Sequence, residues 1–152
     1  MKLAEALALR ADLQKRISQM DSRLKGCCKV QEGDTPPEDP KELFLELNNL
    51  FAQFEDIIFR INKTNMNSIL ADGESLTRKI ARRDVLKMNV RALQSVLEYV
   101  TQSADRYSRN EIKYERTIDV AQLRKQTDEL SRKLRDSDTE IQAANWVLDL
   151  CD

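Results

Sequence analysis

The amino-acid sequence predicts an all-α fold: an antiparallel up-down-up-down four-helix bundle with long helices and room for a short two-stranded ribbon at one end. Two features of the composition predict helices, since aromatic residues make up only 5% of the 152 residues and the chain has only three glycines and three prolines. Apolar residues also recur at steps of three and four along four separate segments. Short connections between such segments favour antiparallel neighbours.

The first segment predicts a helix that ends at Gly26. Its seam repeats with the regularity of a coiled coil and contains Leu3, Ala6, Arg10, Leu13, Ile17, Met20 and Leu24. The string "CCKVQEGDTPPEDP" holds all three prolines and therefore predicts a connection. Asp39 followed by Pro40 then supplies an N-cap and a first-turn proline for the second helix.

The second helix has the richest apolar face of the chain. Its seam contains Leu43, Leu47, Leu50, Phe54, Ile57 and Ile61, and it is widened by Phe44, Phe51 and Ile58. In "ADGESLT", Gly73 predicts a turn and Ser75 a helix cap. The third helix follows with a seam that has one gap, at Arg83, and contains Leu76, Ile80, Leu86, Val90, Leu93, Leu97, Val100, Ala104 and Tyr107.

The string "NEIKYERTID" changes the period from helical to alternating, which predicts an extended segment. In the bundle topology this segment, around Tyr114, lies at the same end as the connection around Val30, and the two could pair as the ribbon. Asp119 with Gln122 predicts the start of the fourth helix. Its seam contains Val120, Leu123, Thr127, Leu130, Leu134, Ser137, Ile141, Ala144 and Leu148.

Length and charge limit the classes of function. We expect residues 1–152 to form one helical bundle domain, because this length suits one core better than two. The net charge of −1 gives no overall attraction to nucleic acid or an anionic membrane. The basic and aromatic residues of "DRYSRNEIKYERT" could bind nucleic acid, but interspersed acidic residues favour a ribbon with charged edges. Without a signal peptide or a membrane-spanning run, the sequence predicts a cytoplasmic protein with no membrane partner.

The residue types also argue against most catalytic sites. The chain has no histidine, which removes the commonest general base and the usual transition-metal ligand, so we expect no metal site and no cofactor. Cys27, Cys28 and Cys151 have no disulfide or metal-binding spacing and are interpreted as free thiols, with a redox-active Cys27–Cys28 pair as the alternative. The glycines form no phosphate-binding loop.

Several strings resemble a family of small bacterial helical proteins of unknown function, some of whose members carry the label septicolysin. The strings are "AEALALRADLQKRI", "KVQEG" with "PPEDP", "RINKTN", "LTRKIARRDVL", "YSRNEIKYERTIDV" and "IQAANWVLDL". The resemblance covers nearly the whole chain in the same order. It implies a compact helical fold and no particular activity.

The label septicolysin implies a thiol-activated, cholesterol-dependent pore-forming toxin. Such toxins are large, secreted and mainly β, with a tryptophan-rich loop that contains a cysteine. This chain has one tryptophan, Trp146, and Cys151 lies near it in a helical region without further tryptophans. We therefore do not expect a toxin.

The bundle topology predicts a polar layer at the end opposite the ribbon. We expect it to bring together the candidate ligand-binding residues Arg10, Asn62, Asn65, Arg83, Asp84 and Asn145. Because a buried guanidinium must be paired, carboxylates such as Glu5, Asp84 or Glu140 should lie close to Arg10 and Arg83. The layer is interpreted as structural, fixing the register of the helices. The alternatives are a site for a small anion or phosphate compound, and arginines that merely reach the solvent.

For function, the sequence favours a non-enzymatic structural or interaction protein that self-associates as a homo-oligomer. The flank Phe44, Phe51 and Ile58 adds more apolar surface than one four-helix core requires. The rival hypothesis is a small-anion-binding protein or enzyme that uses the polar layer, with Arg83 and Arg10 holding the anion and Asp84 as acid or base.

Overall fold

The computed structural model of the chain describes residues 1–102 and 115–152 and contains four long helices. They are α1 (Leu3–Cys28), α2 (Pro40–Asn67), α3 (Leu76–Thr101) and α4 (Val120–Val147). Within these described ranges no strand forms, and β-type pairing is limited to two isolated bridges, Lys2 with Asp149 and Ile69 with Ser75. The predicted all-α helical bundle class is confirmed.

Two helix starts follow the predicted capping chemistry. The Asp39 carboxylate accepts a hydrogen bond from the backbone N–H of Lys41 at 2.8 Å, with Pro40 at the first helical position of α2. The Asp119 carboxylate likewise accepts from the N–H of Gln122 at 3.1 Å, directly before α4. Both interactions satisfy N–H groups that a helix start leaves without an intrahelical partner.

The predicted end of α1 at Gly26 is wrong, because the helix continues to Cys28. The φ angle of Gly26 is not positive, so this glycine keeps the helical direction and does not turn the chain. A glycine inside a helix costs about 1 kcal/mol relative to alanine. The two additional residues bury Cys27, which offsets that cost.

The connections between helices turn at two glycines that have positive φ angles. Gly33 (φ +92°) lies in a turn in which the N–H of Asp34 donates to Gln31, and no strand forms around Val30. Gly73 (φ +83°) turns the chain between α2 and α3, as predicted. The other half of the predicted ribbon, around Tyr114, and the end of the predicted third seam at Ala104 and Tyr107 lie outside the described residues, as does most of "DRYSRNEIKYERT".

The chain divides into two compact units. The first, called the terminal unit, contains Met1–Leu76 and Gln142–Asp152. Its helices α1 and α2 are antiparallel: Arg23 near the end of α1 pairs with Glu46 near the start of α2, while the start of α1 and the end of α2 both bind residues 148–152. The buried apolar residues of this unit are Leu3, Ala6, Leu13, Met20, Cys27, Leu43, Leu50, Ile57, Ile61, Leu76 and Leu150.

The second, called the central unit, contains Thr77–Ile141. Its helices α3 and α4 are also antiparallel, because Arg83 near the start of α3 pairs with Asp138 near the end of α4. At the opposite end, Arg116 just before α4 donates through Nε to the carbonyl of Val100 at 2.8 Å. The buried apolar residues that are described in this unit are Val90 and Ile141. A single domain over residues 1–152 stays a prediction.

Candidate functional site

The six residues of the predicted polar layer are divided between the two units. Four belong to the terminal unit, namely Arg10, Asn62, Asn65 and Asn145, and two belong to the central unit, namely Arg83 and Asp84. The only hydrogen bond or ion pair between members that lie in the same unit is the ion pair of 2.7 Å between Arg83 Nε and Asp84 Oδ1, as far as the described residues extend.

Arg10 is exposed, so the prediction that its side chain faces the core is wrong. The buried side chains of α1 include Ala6, Leu13, Met20 and Cys27, which repeat every seven residues and form one narrow line. The other positions of the seam, including Arg10, lie beside that line. A long arginine side chain at such a position can reach water and does not need a carboxylate partner. Glu5, a predicted partner of Arg10, accepts a hydrogen bond from the backbone N–H of Lys2 at 2.7 Å instead.

The three asparagines of the predicted layer occupy different environments. Asn62 is exposed, while Asn65 and Asn145 are half-buried. No hydrogen bond joins these three side chains to one another in the part of the chain that the structure describes. The end of α2 therefore does not present the amides as one ordered cluster.

Thr64, which the sequence placed at this end of the bundle but not among the six candidates, is the fully buried polar side chain at the end of α2. Its hydroxyl donates to the carbonyl of Arg60 at 2.8 Å and accepts from the N–H of Cys151 at 2.9 Å. Its spacing could have identified it, because Thr64 continues the buried line of Ile57 and Ile61 by one step of three residues.

Residues 148–152 are bound by both helices of the terminal unit. The bundle topology predicted that the start of α1 and the ends of α2 and α4 meet, but not that these backbone groups would be hydrogen-bonded. The N–H of Leu3 donates to the carbonyl of Leu148, and the N–H of Leu150 donates to that of Met1, both at 2.9 Å. From α2, Arg60 donates to the carbonyl of Cys151 at 3.0 Å and contacts the Asp152 carboxylate at 3.1 Å, and Lys63 donates to the Asp152 carbonyl. The backbone groups of this non-helical segment are thus hydrogen-bonded to other parts of the chain.

Lys2 provides a further link to the same segment. Its ammonium group donates to the carbonyl of Val147 at 2.9 Å and pairs with the Asp149 carboxylate at 2.9 Å. The hydrogen bond from Lys2, and then its positive charge, lower the pKa of Asp149 below the ordinary aspartate value. Asp149 therefore stabilises the fold in its ionised form.

A second cluster of charges joins the end of α1 to the start of α2. Arg23 contacts the Glu38 carboxylate at 2.5 Å and the Glu46 carboxylate at 3.2 Å. The hydrogen bond from Arg23 lowers the pKa of Glu38, and the same contact raises the pKa of Arg23. Both glutamates contact the same guanidinium, so this cluster links the two ends of the connection between the helices.

In the central unit, Arg83 lies between two carboxylates. Its Nη1 donates to Asp138 Oδ1 at 2.9 Å, and Asp84 was correctly expected beside it. The Nε atom of Arg83 is buried and makes no well-directed hydrogen bond. The Asp84 oxygen is near it, but the contact lacks the angles of a hydrogen bond. Glu140, the other predicted partner, pairs instead with the buried Lys79.

Helix α2 presents the apolar flank that the sequence predicted. Phe44 is 50% exposed and Phe51 is 49% exposed, while Ile58 is half-buried. The three residues are seven apart, so they form one line along the helix beside the buried line of Leu43, Leu50 and Ile57. Aromatic side chains left half-exposed in a line are typical of surfaces that bind another protein.

Other features of the described residues do not indicate a catalytic centre. A shallow groove of about 410 Å³ lies between α1 and α2, and it contains none of the six predicted site residues; its lining is Arg16, Glu42, Leu45, Glu46, Asn49, Leu50 and Gln53. Within residues 1–102 and 115–152, no group of three or more potential ligands could hold a metal ion. The thiols are free, with Cys27 buried, Cys28 exposed and Cys151 half-buried.

None of the helices described in the structure is long and apolar enough to span a membrane.

Comparisons with known proteins agree on the fold and identify no activity. The model of a family of unknown function, DUF6847, matches residues 10–150. A crystal structure of a functionally unknown conserved protein from Corynebacterium diphtheriae is 38% identical, covers 99% of each chain and superimposes with a TM-score of 0.93. No curated protein matches the chain.

Proposed function

We propose that this chain, which belongs to the DUF6847 family of unknown function, is a non-enzymatic interaction protein that self-associates through α2. The observation that carries the proposal is the line of Phe44, Phe51 and Ile58, with both phenylalanines about half exposed at 50% and 49%. A two-fold contact uses the same patch on both copies, so the interface would bury each phenylalanine position twice, once in each copy.

The two phenylalanines supply only part of the free energy that an association needs. Complete burial of a phenylalanine side chain contributes about 1.5–3 kcal/mol, and about half of that remains to be gained for Phe44 and Phe51. Two copies would together gain about 4 kcal/mol from the four rings, before the cost of association is subtracted. Neighbouring apolar side chains such as Leu47 and Phe54, which are half-buried, would add to the contact.

The experiment is light scattering of the wild type and of Phe44→Ser/Phe51→Ser over a range of concentrations. We expect the wild type to be larger than a monomer and the double variant to lose mass. Leu45→Ser is the matched control, since Leu45 is more exposed, at 64%, but lies on the other flank of α2. A strictly monomeric wild type at millimolar concentration, or an equal loss of mass in Leu45→Ser, would overturn the proposal.

The rival function, binding of a small anion, depends on Arg83. Its buried Nε without a well-directed hydrogen bond is the feature in its favour, whereas the carboxylates of Asp84 and Asp138 already neutralise the guanidinium. The two functions are distinguished by measuring the melting temperatures of the wild type and of Arg83→Met with and without phosphate. We expect phosphate to change both equally, whereas a rise confined to the wild type would favour the anion site.

A pore-forming activity is not part of the proposal. Neither the description of the family nor that of the solved structure mentions a toxin. The only tryptophan of the chain, Trp146, lies on a helix and is exposed. Three free thiols instead support a reducing, cytoplasmic location.

A further inference from the structure

Residues 148–152, called the latch, lie on the terminal unit in the way that a bound peptide lies on its receptor. They belong to no helix, because α4 ends at Val147. Two hydrogen bonds of 2.9 Å and one antiparallel bridge join the backbone of the latch to the backbone of residues 1–3. Pairing of an extended segment through its backbone is a recurring mode of peptide recognition.

Helix α2 provides the most deeply buried contact of the latch. The Thr64 hydroxyl is fully buried and accepts a hydrogen bond from the N–H of Cys151 at 2.9 Å. Arg60 donates to the carbonyl of Cys151 at 3.0 Å. Both groups of α2 therefore bind the latch through its backbone, and this part of the recognition does not depend on which side chain stands at position 151.

The side chains of the latch indicate which sequences its binding site accepts. Leu150 is only 9% exposed, so the site takes an apolar side chain at this position. Asp149 pairs with Lys2 at 2.9 Å, and Asp152 pairs with Arg60 at 3.1 Å. The pattern is therefore an apolar residue with one acidic residue directly before it and another two residues after it.

The two cations that hold the latch have their nearest carboxylates in the latch itself, as far as the described residues extend. Glu5 of α1 accepts a hydrogen bond from the backbone N–H of Lys2 and not from its ammonium group. Asp56 of α2 lies 3.8 Å from Arg60, which is farther than the latch carboxylate at 3.1 Å. A site whose cations are neutralised mainly by its occupant favours an acidic occupant.

The contacts of the latch are individually weak, so the latch can open while α1 and α2 stay folded. The side chain of Asp149 is 73% exposed and that of Asp152 is fully exposed, and ion pairs at such positions are screened by solvent and salt. The backbone hydrogen bonds within both helices do not involve the latch and remain when it opens. A short segment with few buried side chains opens at a lower free energy than complete unfolding requires.

We propose that residues 1–3 and 60–64 form a peptide-binding site, called the latch site, which the latch keeps closed and which takes an extended acidic segment of another protein when the latch opens. Thr64 and the backbone of residues 1–3 recognise the extended chain, while Lys2 and Arg60 select acidic side chains. A ligand that binds only the open site shifts the chain toward the open state. The half-exposed phenylalanines of α2 are not part of this site, so the proposal does not rest on self-association.

Hydrogen exchange of the wild type tests whether the latch opens locally. We expect the N–H groups of Leu150 and Cys151 to be protected at least about tenfold less than that of the buried Leu50, because they exchange without unfolding of the helices. Salt at about 1 M, where the Debye length is about 3 Å, should raise exchange at Leu150 and Cys151 more than at Leu50. Equal protection of Leu150 and Leu50 would mean that the latch opens only on unfolding and would overturn the proposal.

A peptide added to the full chain tests the ligand class. The probe is a fluorescein-labelled peptide with the sequence of residues 146–152 and the substitution Cys151→Ser, and fluorescence anisotropy measures its binding. In Asp149→Lys/Asp152→Lys, repulsion from Lys2 and Arg60 opens the latch but leaves the latch site unchanged. We expect this variant to bind the peptide at least about tenfold more tightly than the wild type, in which the latch competes within the same chain.

The matched control is Asp12→Lys/Asp34→Lys, which makes the same change in charge at two exposed positions outside the latch site. It should bind the peptide as weakly as the wild type does. Addition of Thr64→Val to the open variant removes the acceptor of the latch site and should weaken peptide binding. Circular dichroism shows that each variant is folded.

Two results with the peptide would overturn the proposal. The first is an open variant that does not bind the peptide, or that binds equally well a peptide in which both aspartates are lysines. The second is exchange at Leu150 that depends on protein concentration together with a dimeric mass, because a second copy would then supply the latch. Phe44→Ser/Phe51→Ser should bind the peptide as the wild type does, so failure of the α2 proposal leaves this test unchanged.

Discussion

The terminal and central units differ in how many apolar side chains their helix pairs bury. Among the described residues, the terminal unit buries eleven apolar side chains, whereas the central unit buries only Val90 and Ile141. Residues 148–152 add a third element that covers the ends of α1 and α2. The terminal unit thus has the larger core, although both units keep exposed apolar side chains, such as Phe44 and Phe51 on α2 and Met88 and Tyr99 on α3.

The two units also differ in what their polar contacts connect. In the terminal unit, a buried hydroxyl and several side chains bind the backbone of residues 148–152, so its polar contacts hold a segment in place. In the central unit, the ion pairs of Arg83 with Asp138 and of Lys79 with Glu140 link one helix to the other. The polar contacts of the terminal unit therefore fix residues 148–152, whereas those of the central unit join its two helices.

The largest expected effect concerns the two cores. Leu50→Ala removes a side chain that is only 2% exposed in the terminal unit, and we expect a loss of about 3 kcal/mol in the free energy of unfolding. Leu93→Ala makes the same chemical change at a half-buried position of the central unit, where we expect about 1 kcal/mol. Urea denaturation measures both values. Equal losses would show that the two cores are packed equally well.

The second effect concerns the buried hydroxyl of Thr64. Thr64→Val keeps the shape of the side chain but leaves the N–H of Cys151 without its acceptor, and we expect a loss of about 2 kcal/mol. Thr139→Val is the control, because Thr139 is exposed and its hydroxyl bonds only to the carbonyl of Arg135 within its own helix; we expect a change within about 0.5 kcal/mol. Urea denaturation gives both values, and faster hydrogen exchange at Cys151 in Thr64→Val alone would locate the effect. Unchanged exchange there would contradict it.

The sequence predicted the helices and their starts because those features depend on local chemistry. Periodic apolar residues place all four helices, and Asp39 and Asp119 act through N–H groups two and three residues away. The prediction that α1 ends at Gly26 was wrong, because a glycine alone does not end a helix when the next residues, such as Cys27, are buried in it.

The candidate site was harder to predict because it depends on contacts between distant residues. Arg10 shares the period of the seam, but only packing decides which line of that seam is buried. The partners of Thr64 and Lys2 are 87 and 147 residues away from them, and no local pattern marks such a pairing. Among the predicted ion-pair partners, Asp84 adjoins Arg83 in sequence, and it was found beside that arginine.

The smallest expected effect is the pH dependence of the contact between Lys2 and Asp149 in the terminal unit. Because Lys2 lowers the pKa of Asp149 in the folded state, the ionised carboxylate stabilises the fold above the ordinary aspartate pKa of about 4, and this contribution is lost as the pH falls through the lowered value. The wild type should therefore be more stable than Asp149→Asn at neutral pH, by a difference that shrinks below about pH 4, where a protonated carboxyl and an amide are both uncharged. Urea denaturation at several pH values measures the difference, and Lys2→Met should remove most of its pH dependence, because the N-terminal ammonium contributes the remainder. A difference that persists unchanged into acid would mean that Asp149 acts through its shape rather than its charge, and that residues 148–152 are held chiefly by the hydrogen bonds of Thr64 and Arg60.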